Sequence, residues 1–148
     1  MSKNRTFPPD HPAIAESETP SPLQVTFLIV PRFNMSTLVT MIEPMRIANY
    51  LSPQPIYAWD IVSFDGEQIT ASNGLTLPAH LPTDRKRRGE VIFVMGSWGA
   101  ESYTNKTVFS WIRRQAREGA RICAVELGTY LVARAGLLSG RKVTTHWS

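Results

Sequence analysis

Residues 122–138 read ICAVELGTYLVARAGLL, and this stretch decides the fold. A short apolar run ends in the tight turn Glu126-Leu127-Gly128, and the periodic apolar residues of Thr129–Leu138 then predict a helix. A strand that enters a helix through so sharp a turn can hold one side chain towards solvent. Glu126 occupies that position, and Gly128 permits the helix to lie close to the strand.

The same alternation of apolar strands and amphipathic helices extends over the whole chain. Strands that are apolar on nearly every residue are covered on both faces, as in a parallel sheet. The order predicts an α/β sandwich around a mostly parallel sheet. The predicted strands are Leu23–Pro31, Ile56–Phe64, Glu90–Met95, Arg121–Val125 and Val143–Trp147, the helices are 36–51, Thr104–Glu118 and Thr129–Leu138, and a hairpin joins Gln68–Thr70 to Leu75–Leu77.

Local signals predict where the helices begin, bend and end. Asn34 or Ser36 is a candidate N-terminal cap for the first helix. Pro44 lies inside that helix and predicts a kink or a break near residues 42–43. Gly119 stands where a C-terminal cap of the second helix belongs.

Length and composition set the outer limits. The chain has 148 residues and 43% hydrophobic residues, which suffices for one packed domain. No stretch approaches the roughly 20 apolar residues of a membrane span, and the N-terminus lacks the apolar centre of a secretory signal. Five prolines among polar neighbours predict a disordered arm over residues 1–22, with the domain over residues 23–148.

Cysteine and histidine usage restricts the chemistry. The single cysteine, Cys123, cannot form an internal disulfide, which fits a reducing, cytoplasmic compartment. Its place inside a strand predicts a buried, inert thiol. Three histidines and one cysteine, far apart in sequence, leave little material for a metal site, and no cofactor is expected.

The net charge is +4, and its densest part is the run Arg85-Lys86-Arg87-Arg88. Such a run can bind phosphate backbones, or it can be a solvated loop. Aromatic residues do not interleave with it, and no nucleic-acid-binding motif surrounds it, so the loop is the simpler interpretation.

Ligand sites in sheets of this kind lie beyond the carboxyl ends of the strands. Here those ends fall at residues 32–34, 96–99 and 126–128. The candidate ligand-binding residues are Glu126, His146, Trp98, Phe33, Ser97 and Leu127.

Several roles stay open for these residues. Glu126 can contact a ligand, act as a general base or simply cap the following helix. His146 is either structural or functional, and Trp98, Phe33 and Trp147 are either core or a box for a cationic group. Ser97 lacks the Gly-x-Ser-x-Gly pattern, which argues against a serine hydrolase.

Residues 24–148 resemble the amidotransferase-like, PfpI/ThiJ-type domain that begins one branch of the AraC-family transcriptional regulators. The most specific part is the C-terminal pattern, in which Ala135-Gly136-Leu137-Leu138 and Gly140-Arg141 are followed by Thr145-His146-Trp147. The matching segments are Pro31-x-Phe33, Ile42–Asn49, Ser63-x-Asp65-Gly66, Ser72–Gly74, Trp111–Arg114, Glu118–Ala120, Leu131–Arg141 and Thr145–Trp147.

The resemblance implies a flavodoxin-like, class I glutamine amidotransferase-like domain that dimerises and senses a small molecule. Enzymes of the superfamily carry a cysteine at the elbow, and a glutamate from the first strand–helix loop contacts it. Here Glu126 stands at the elbow, and Thr37 stands at the position of that glutamate. These two departures imply a non-catalytic domain, since a carboxylate cannot replace a thiolate in the covalent step. His146 matches the family's cleft-facing histidine.

The resemblance also implies what the chain responds to and what it lacks. Similar regulators respond to amino acids and quaternary amines, so a small amine or amino-acid-like effector is expected. DNA would be reached only through a helix-turn-helix domain that these residues do not include, so the chain is expected to be a truncated regulator. Two alternatives remain open: a hydrolase or lyase that uses Glu126 and His146, and an interaction module without a ligand.

Overall fold

A computed structural model describes residues 21–83 and 89–146. The run Arg85-Lys86-Arg87-Arg88, the residue Trp147 and nearly all of the predicted arm lie outside the described residues. In chain order the elements are β1 (Leu23–Ile29), α1 (Met35–Leu51), β2 (Tyr57–Ser63), β3 (Ile69–Thr70), β4 (Thr76–Leu77), β5 (Leu81–Pro82), β6 (Val91–Gly96), a 3-10 helix (Ala100–Ser102), α2 (Lys106–Arg117), β7 (Arg121–Glu126) and α3 (Gly128–Arg134).

The main sheet has five strands in the order β5-β2-β1-β6-β7, and all four pairings are parallel. β3 and β4 form the predicted hairpin beside it. The flavodoxin-like α/β class is therefore confirmed. Strand β5 was not predicted, because two residues paired only at Val62 and Ser63 leave no periodic signal in the sequence.

Two hydrophobic clusters cover the two faces of this sheet. Alternate residues of β1 point to opposite sides, as the pleat requires. Phe27 and Ile29 pack in the cluster that includes Leu38 of α1. Leu28 packs in the other cluster, beneath α2 and α3. The result is the expected three-layer sandwich, with β1 buried at its centre.

Helix α1 begins at the predicted cap, because the Asn34 side chain accepts a hydrogen bond from the Thr37 backbone N–H at 3.2 Å. Of the kink or break predicted near Pro44, the break does not occur, since the helix continues to Leu51. An internal proline costs about 3 kcal/mol. Tertiary contacts offset this cost. Near the helix end, the Asn49 side-chain amide donates an N–H to the Tyr57 carbonyl, and its oxygen accepts from the Tyr57 backbone N–H.

Helices α2 and α3 each end at a glycine in the left-handed conformation. Gly119 caps α2 as predicted, with φ 95°. Helix α3 ends earlier than the predicted Leu138, because Gly136 adopts φ 78° and Leu137 donates its backbone N–H to the Val132 carbonyl. This pair of features is a Schellman motif, and it terminates a helix wherever glycine permits the left-handed conformation.

Two expectations for the C-terminal third are wrong. Residues 143–146 belong to no strand. The Thr144 carbonyl accepts from the Thr129 hydroxyl of α3, and the Thr145 hydroxyl donates to the Glu126 carbonyl at the end of β7. Cys123 is half-buried and not fully buried, because β7 is the last strand of the sheet that the described residues form.

Candidate functional site

The carboxyl ends of β1, β6 and β7 meet at one edge of the sheet. The parallel register places Ile29 beside Met95, and Gly96 beside Glu126. Residues that directly follow these strands therefore share one surface, which is where ligands bind in open parallel sheets.

Glu126 lies at the turn between β7 and α3 in a strained backbone conformation. Its φ is 52°, in the left-handed region, which costs a residue with a Cβ about 1–2 kcal/mol. The cause is the close approach of α3 to the sheet. A Cβ added at Gly128 would lie 2.0 Å from the Val94 carbonyl oxygen, so the chain must turn sharply at the residue where β7 ends.

Three threonine hydroxyls surround the elbow residue. The Thr37 hydroxyl donates to Oε1 of Glu126 at 2.9 Å. The hydroxyls of Thr129 and Thr145 donate to the Glu126 backbone carbonyl at 3.3 and 3.2 Å. Oε2 of the carboxylate has no hydrogen-bond partner among the described residues. The hydrogen bond to Oε1 thus fixes the Glu126 carboxylate, and Oε2 is the oxygen that can contact a ligand.

The contact between Thr37 and Glu126 joins the two positions that the resemblance singled out. Thr37 belongs to the first turn of α1, and Glu126 ends β7 on the other side of the sheet edge. The structure therefore brings a hydroxyl and a carboxylate together at the two positions where the resemblance implies a carboxyl and a thiol in enzymes of the superfamily. Neither group is a thiol nucleophile.

The other predicted site residues divide by burial. Phe33 has 0% of its surface exposed and packs in the core beneath α1, so it cannot contact a ligand in the cleft. Ser97 and Leu127 are also buried, and they shape the floor of the turn through backbone bonds. Trp98 is 63% exposed, and His146 is exposed one residue after Thr145. The accessible members of the set are Glu126, Trp98 and His146.

Sequence reasoning missed one charged residue at this edge, Arg32. Its guanidinium carbon lies 5.8 Å from the centroid of the Trp98 ring. Its φ is 66°, and among the described residues only Arg32 and Glu126 have a positive φ without being glycine. In the sequence, Arg32 is a single arginine between Pro31, which ends a strand, and the helix cap Asn34. Nothing in that pattern indicates a left-handed backbone.

The described residues show neither a transmembrane helix nor a metal cluster. No helix within residues 21–83 and 89–146 is long and apolar enough to cross a membrane. In the same ranges no three His, Cys, Asp or Glu side chains converge as metal ligands would.

The fold is a flavodoxin-like α/β sandwich with a strand–turn–helix elbow, and a comparison with family models identifies the family. The model of the DJ-1/PfpI family matches residues 25–148, so the chain belongs to the DJ-1/PfpI family.

Individual relatives include regulators and an enzyme. The chain is 35% identical over 127 residues to the HTH-type transcriptional regulator GbdR of Pseudomonas aeruginosa, which covers 86% of this chain and 35% of GbdR. It is 28% identical to an isonitrile hydratase of Pseudomonas putida, over 85% of this chain and 53% of that enzyme. The chain thus spans about a third of the regulator's length.

Solved structures show the same fold. An AraC family transcriptional regulator from Pseudomonas putida superposes with a TM-score of 0.68 at 21% identity, over 81% of this chain and 64% of that one. At this level of identity the likeness establishes the architecture, and the function has to be argued from the site.

Proposed function

We propose that residues 23–148 form the ligand-sensing and dimerisation domain of an AraC-type transcriptional regulator and that this domain is not an enzyme. The effector is a small amine or an amino-acid-like molecule. DNA would be bound by a helix-turn-helix domain outside this chain, and such a regulator works in the cytoplasm. The observation that carries the proposal is the Glu126 carboxylate, held at the elbow by the Thr37 hydroxyl at 2.9 Å.

The geometry of Glu126 suits binding better than covalent catalysis. A strained turn holds the side chain in a fixed place, and the Thr37 hydroxyl orients one oxygen, so the other oxygen is ready for a cationic group. A cationic group beside this oxygen gains charge pairing that a neutral molecule of the same shape lacks, whether or not the cation carries an N–H. The thiol-dependent covalent step that the resemblance implies for enzymes of the superfamily would need a thiol at the elbow, which Glu126 lacks.

The proposal predicts that the site distinguishes a quaternary ammonium from its neutral isostere. Choline is expected to raise the unfolding temperature of the full chain in a saturable way, whereas 3,3-dimethylbutan-1-ol is not. Glu126→Gln removes the charge at nearly constant shape and is expected to weaken choline binding at least tenfold, about 1.4 kcal/mol. Free arginine serves as the amino-acid probe in the same assay.

The matched control is Glu67→Gln, an exposed carboxylate far from the elbow in sequence, which should leave choline binding unchanged. Equal affinity of the Glu126→Gln variant and the native chain would contradict the role of Glu126. A chain that self-associates but responds to neither choline nor arginine would be an interaction module and not a sensor.

The enzyme alternative rests on the same elbow. A hydrolase or lyase would use Glu126 and His146 as an acid–base pair, and one relative is an isonitrile hydratase. The exposed His146 follows Thr145, whose hydroxyl contacts the elbow backbone. Turnover of an amide, ester or dicarbonyl compound, lost in Glu126→Ala, would favour this alternative.

Dimerisation finds support on the outer face of α1. Val39, Ile47, Tyr50 and Leu51 expose 48%, 45%, 83% and 76% of their surface, although the opposite side of α1 already packs on the sheet. The same stretch carries the ion pair of Glu43 and Arg46 at 2.7 Å. A two-fold contact would let each copy present both charges to the other, as an isologous interface requires.

The variant Tyr50→Glu is expected to weaken self-association at least tenfold in sedimentation analysis, because it places a charge among the apolar side chains of α1. Leu75→Glu is the control, since Leu75 is 61% exposed but lies at the hairpin. A native chain that stays monomeric at high micromolar concentration, or a loss as large for Leu75→Glu, would contradict this interface.

A further inference from the structure

A cavity of about 530 Å³ opens between the carboxyl ends of β1 and β6 and the segment that precedes α2. Arg32 and Trp98 form one side of it, and Ser102, Tyr103 and Asn105 form the other. Of the candidate residues discussed above, it includes only Trp98. The cavity is therefore a separate site from the Glu126 elbow, although both lie at the same edge of the sheet.

Arg32 brings a cation to this cavity without an internal counter-charge. The ion pairs among the described residues are those of Arg46 with Glu43 and of His80 with Asp60. The Arg32 guanidinium instead faces the Trp98 ring at 5.8 Å. Its N–H groups have no hydrogen-bond partner in the described part of the chain, so they are available to a ligand.

The backbone at Arg32 indicates that the side chain is held there at a cost. Its φ of 66° is a conformation that glycine or asparagine adopts more readily. The position is fixed by a hydrogen bond from the Arg32 backbone N–H to the Thr70 carbonyl at 2.8 Å. Strained residues of this kind cluster at ligand clamps, so the backbone conformation favours a ligand-binding role for the Arg32 guanidinium.

The opposite side of the cavity is preorganised and supplies a neutral donor. The Arg134 guanidinium donates to the backbone carbonyls of Glu101 and Tyr103, which fixes this segment. Burial, together with the nearby Asp65 carboxylate, raises the pKa of Tyr103 to about 12, so its phenol stays protonated. Asn105 already caps α2 by accepting from the backbone N–H groups of Thr107 and Val108, at 3.0 and 3.2 Å.

We infer that this cavity binds a small organic carboxylate whose two oxygens pair with the Arg32 guanidinium and whose apolar part packs on Trp98. A single planar guanidinium matches a carboxylate through two parallel hydrogen bonds. Phosphate sites usually combine several donors, and the helix N-terminus that could supply them here is occupied by Asn105. The inference goes beyond the proposed function and holds whatever Glu126 binds.

Calorimetric titration of the full chain with phenylacetate and its neutral analogue phenylacetamide tests the inference. The acid is expected to bind at least tenfold more tightly than the amide. Arg32→Asn removes the charge with a residue that tolerates positive φ, and it should weaken phenylacetate binding at least tenfold without affecting the amide. Arg141→Asn, which alters an exposed arginine outside the cavity, should change neither.

Arg32→Gly shows whether a loss of binding comes from unfolding. Glycine suits the observed φ, so this variant is expected to unfold at the same temperature as the native chain or higher, and still to lose phenylacetate binding. Equal affinity for acid and amide, or native-like binding of phenylacetate by Arg32→Asn, would overturn the inference. Inorganic phosphate that binds through Arg32 while phenylacetate does not would overturn the carboxylate assignment.

Discussion

Gly128→Ala is expected to lower the free energy of unfolding by at least about 3 kcal/mol, the upper part of the range for overpacked sites. The added Cβ would lie 2.0 Å from the Val94 carbonyl oxygen and 3.3 Å from the Gly96 nitrogen. Neither neighbour is the end of a flexible side chain, so α3 would have to move away from β6. That movement would open the cluster that contains Leu131 and Val132.

Two features make this substitution a clean test, measured by denaturant unfolding. Alanine favours a helix over glycine by about 0.8–1.0 kcal/mol, so any loss at the start of α3 reflects the clash. Gly74→Ala is the control, because no atom lies within 4 Å of its added Cβ although its φ is 85°. It should cost only about 1–2 kcal/mol from strain. Equal losses at Gly74 and Gly128 would refute the packing explanation of the elbow.

Phe27→Ala is expected to cost about 3–5 kcal/mol, the usual range for truncating a buried phenylalanine. Phe27 is fully buried on the central strand β1, and its ring stacks on Phe93 at 5.4 Å. Its loss would leave a cavity beneath α1, the helix that carries Thr37 to the elbow.

Phe64→Ala provides the comparison for the same chemical change. Phe64 is 43% exposed just after β2, so its truncation should cost less than about half as much in denaturant unfolding. If Phe64→Ala destabilised the chain as strongly as Phe27→Ala, the assignment of the core to β1 would be wrong.

Local signals in the sequence were sufficient for most of the fold. The alternation of apolar strands and helices predicted the parallel sheet, Asn34 predicted the start of α1, and Gly119 predicted the end of α2. The turn at Glu126 was also predictable, because glycine two residues later permits the close approach that the structure shows at Val94. Each of these features depends on residues near one another in the chain.

The errors arose where distant parts of the chain decide the outcome. Pro44 does not break α1, because contacts of Asn49 with Tyr57 support the helix beyond it. Phe33 follows a strand end and was a candidate ligand residue, but the hairpin closes over it through the hydrogen bond from the Ser72 backbone N–H to the Phe33 carbonyl. Such contacts have no periodic signature in the sequence.

The same limit applies to Arg32. Its left-handed backbone follows from the bond between its N–H and the Thr70 carbonyl, and its contact with Trp98 joins the ends of two strands. Both depend on the assembled sheet. This edge of the sheet therefore carries two strained residues of opposite charge, Arg32 and Glu126, of which the sequence identified only Glu126.

The central claim is that Glu126 binds a ligand and does not catalyse a reaction. Its most direct test is a proton NMR experiment in which the full chain is mixed with choline and methylglyoxal. If Glu126 forms a binding site and not a catalytic one, the choline signals shift or broaden saturably with the native chain, and Glu126→Gln weakens this binding at least tenfold. Methylglyoxal is then consumed equally in the presence of the native chain and of Glu126→Ala. Faster consumption by the native chain, lost in Glu126→Ala, would contradict the account and establish an enzyme.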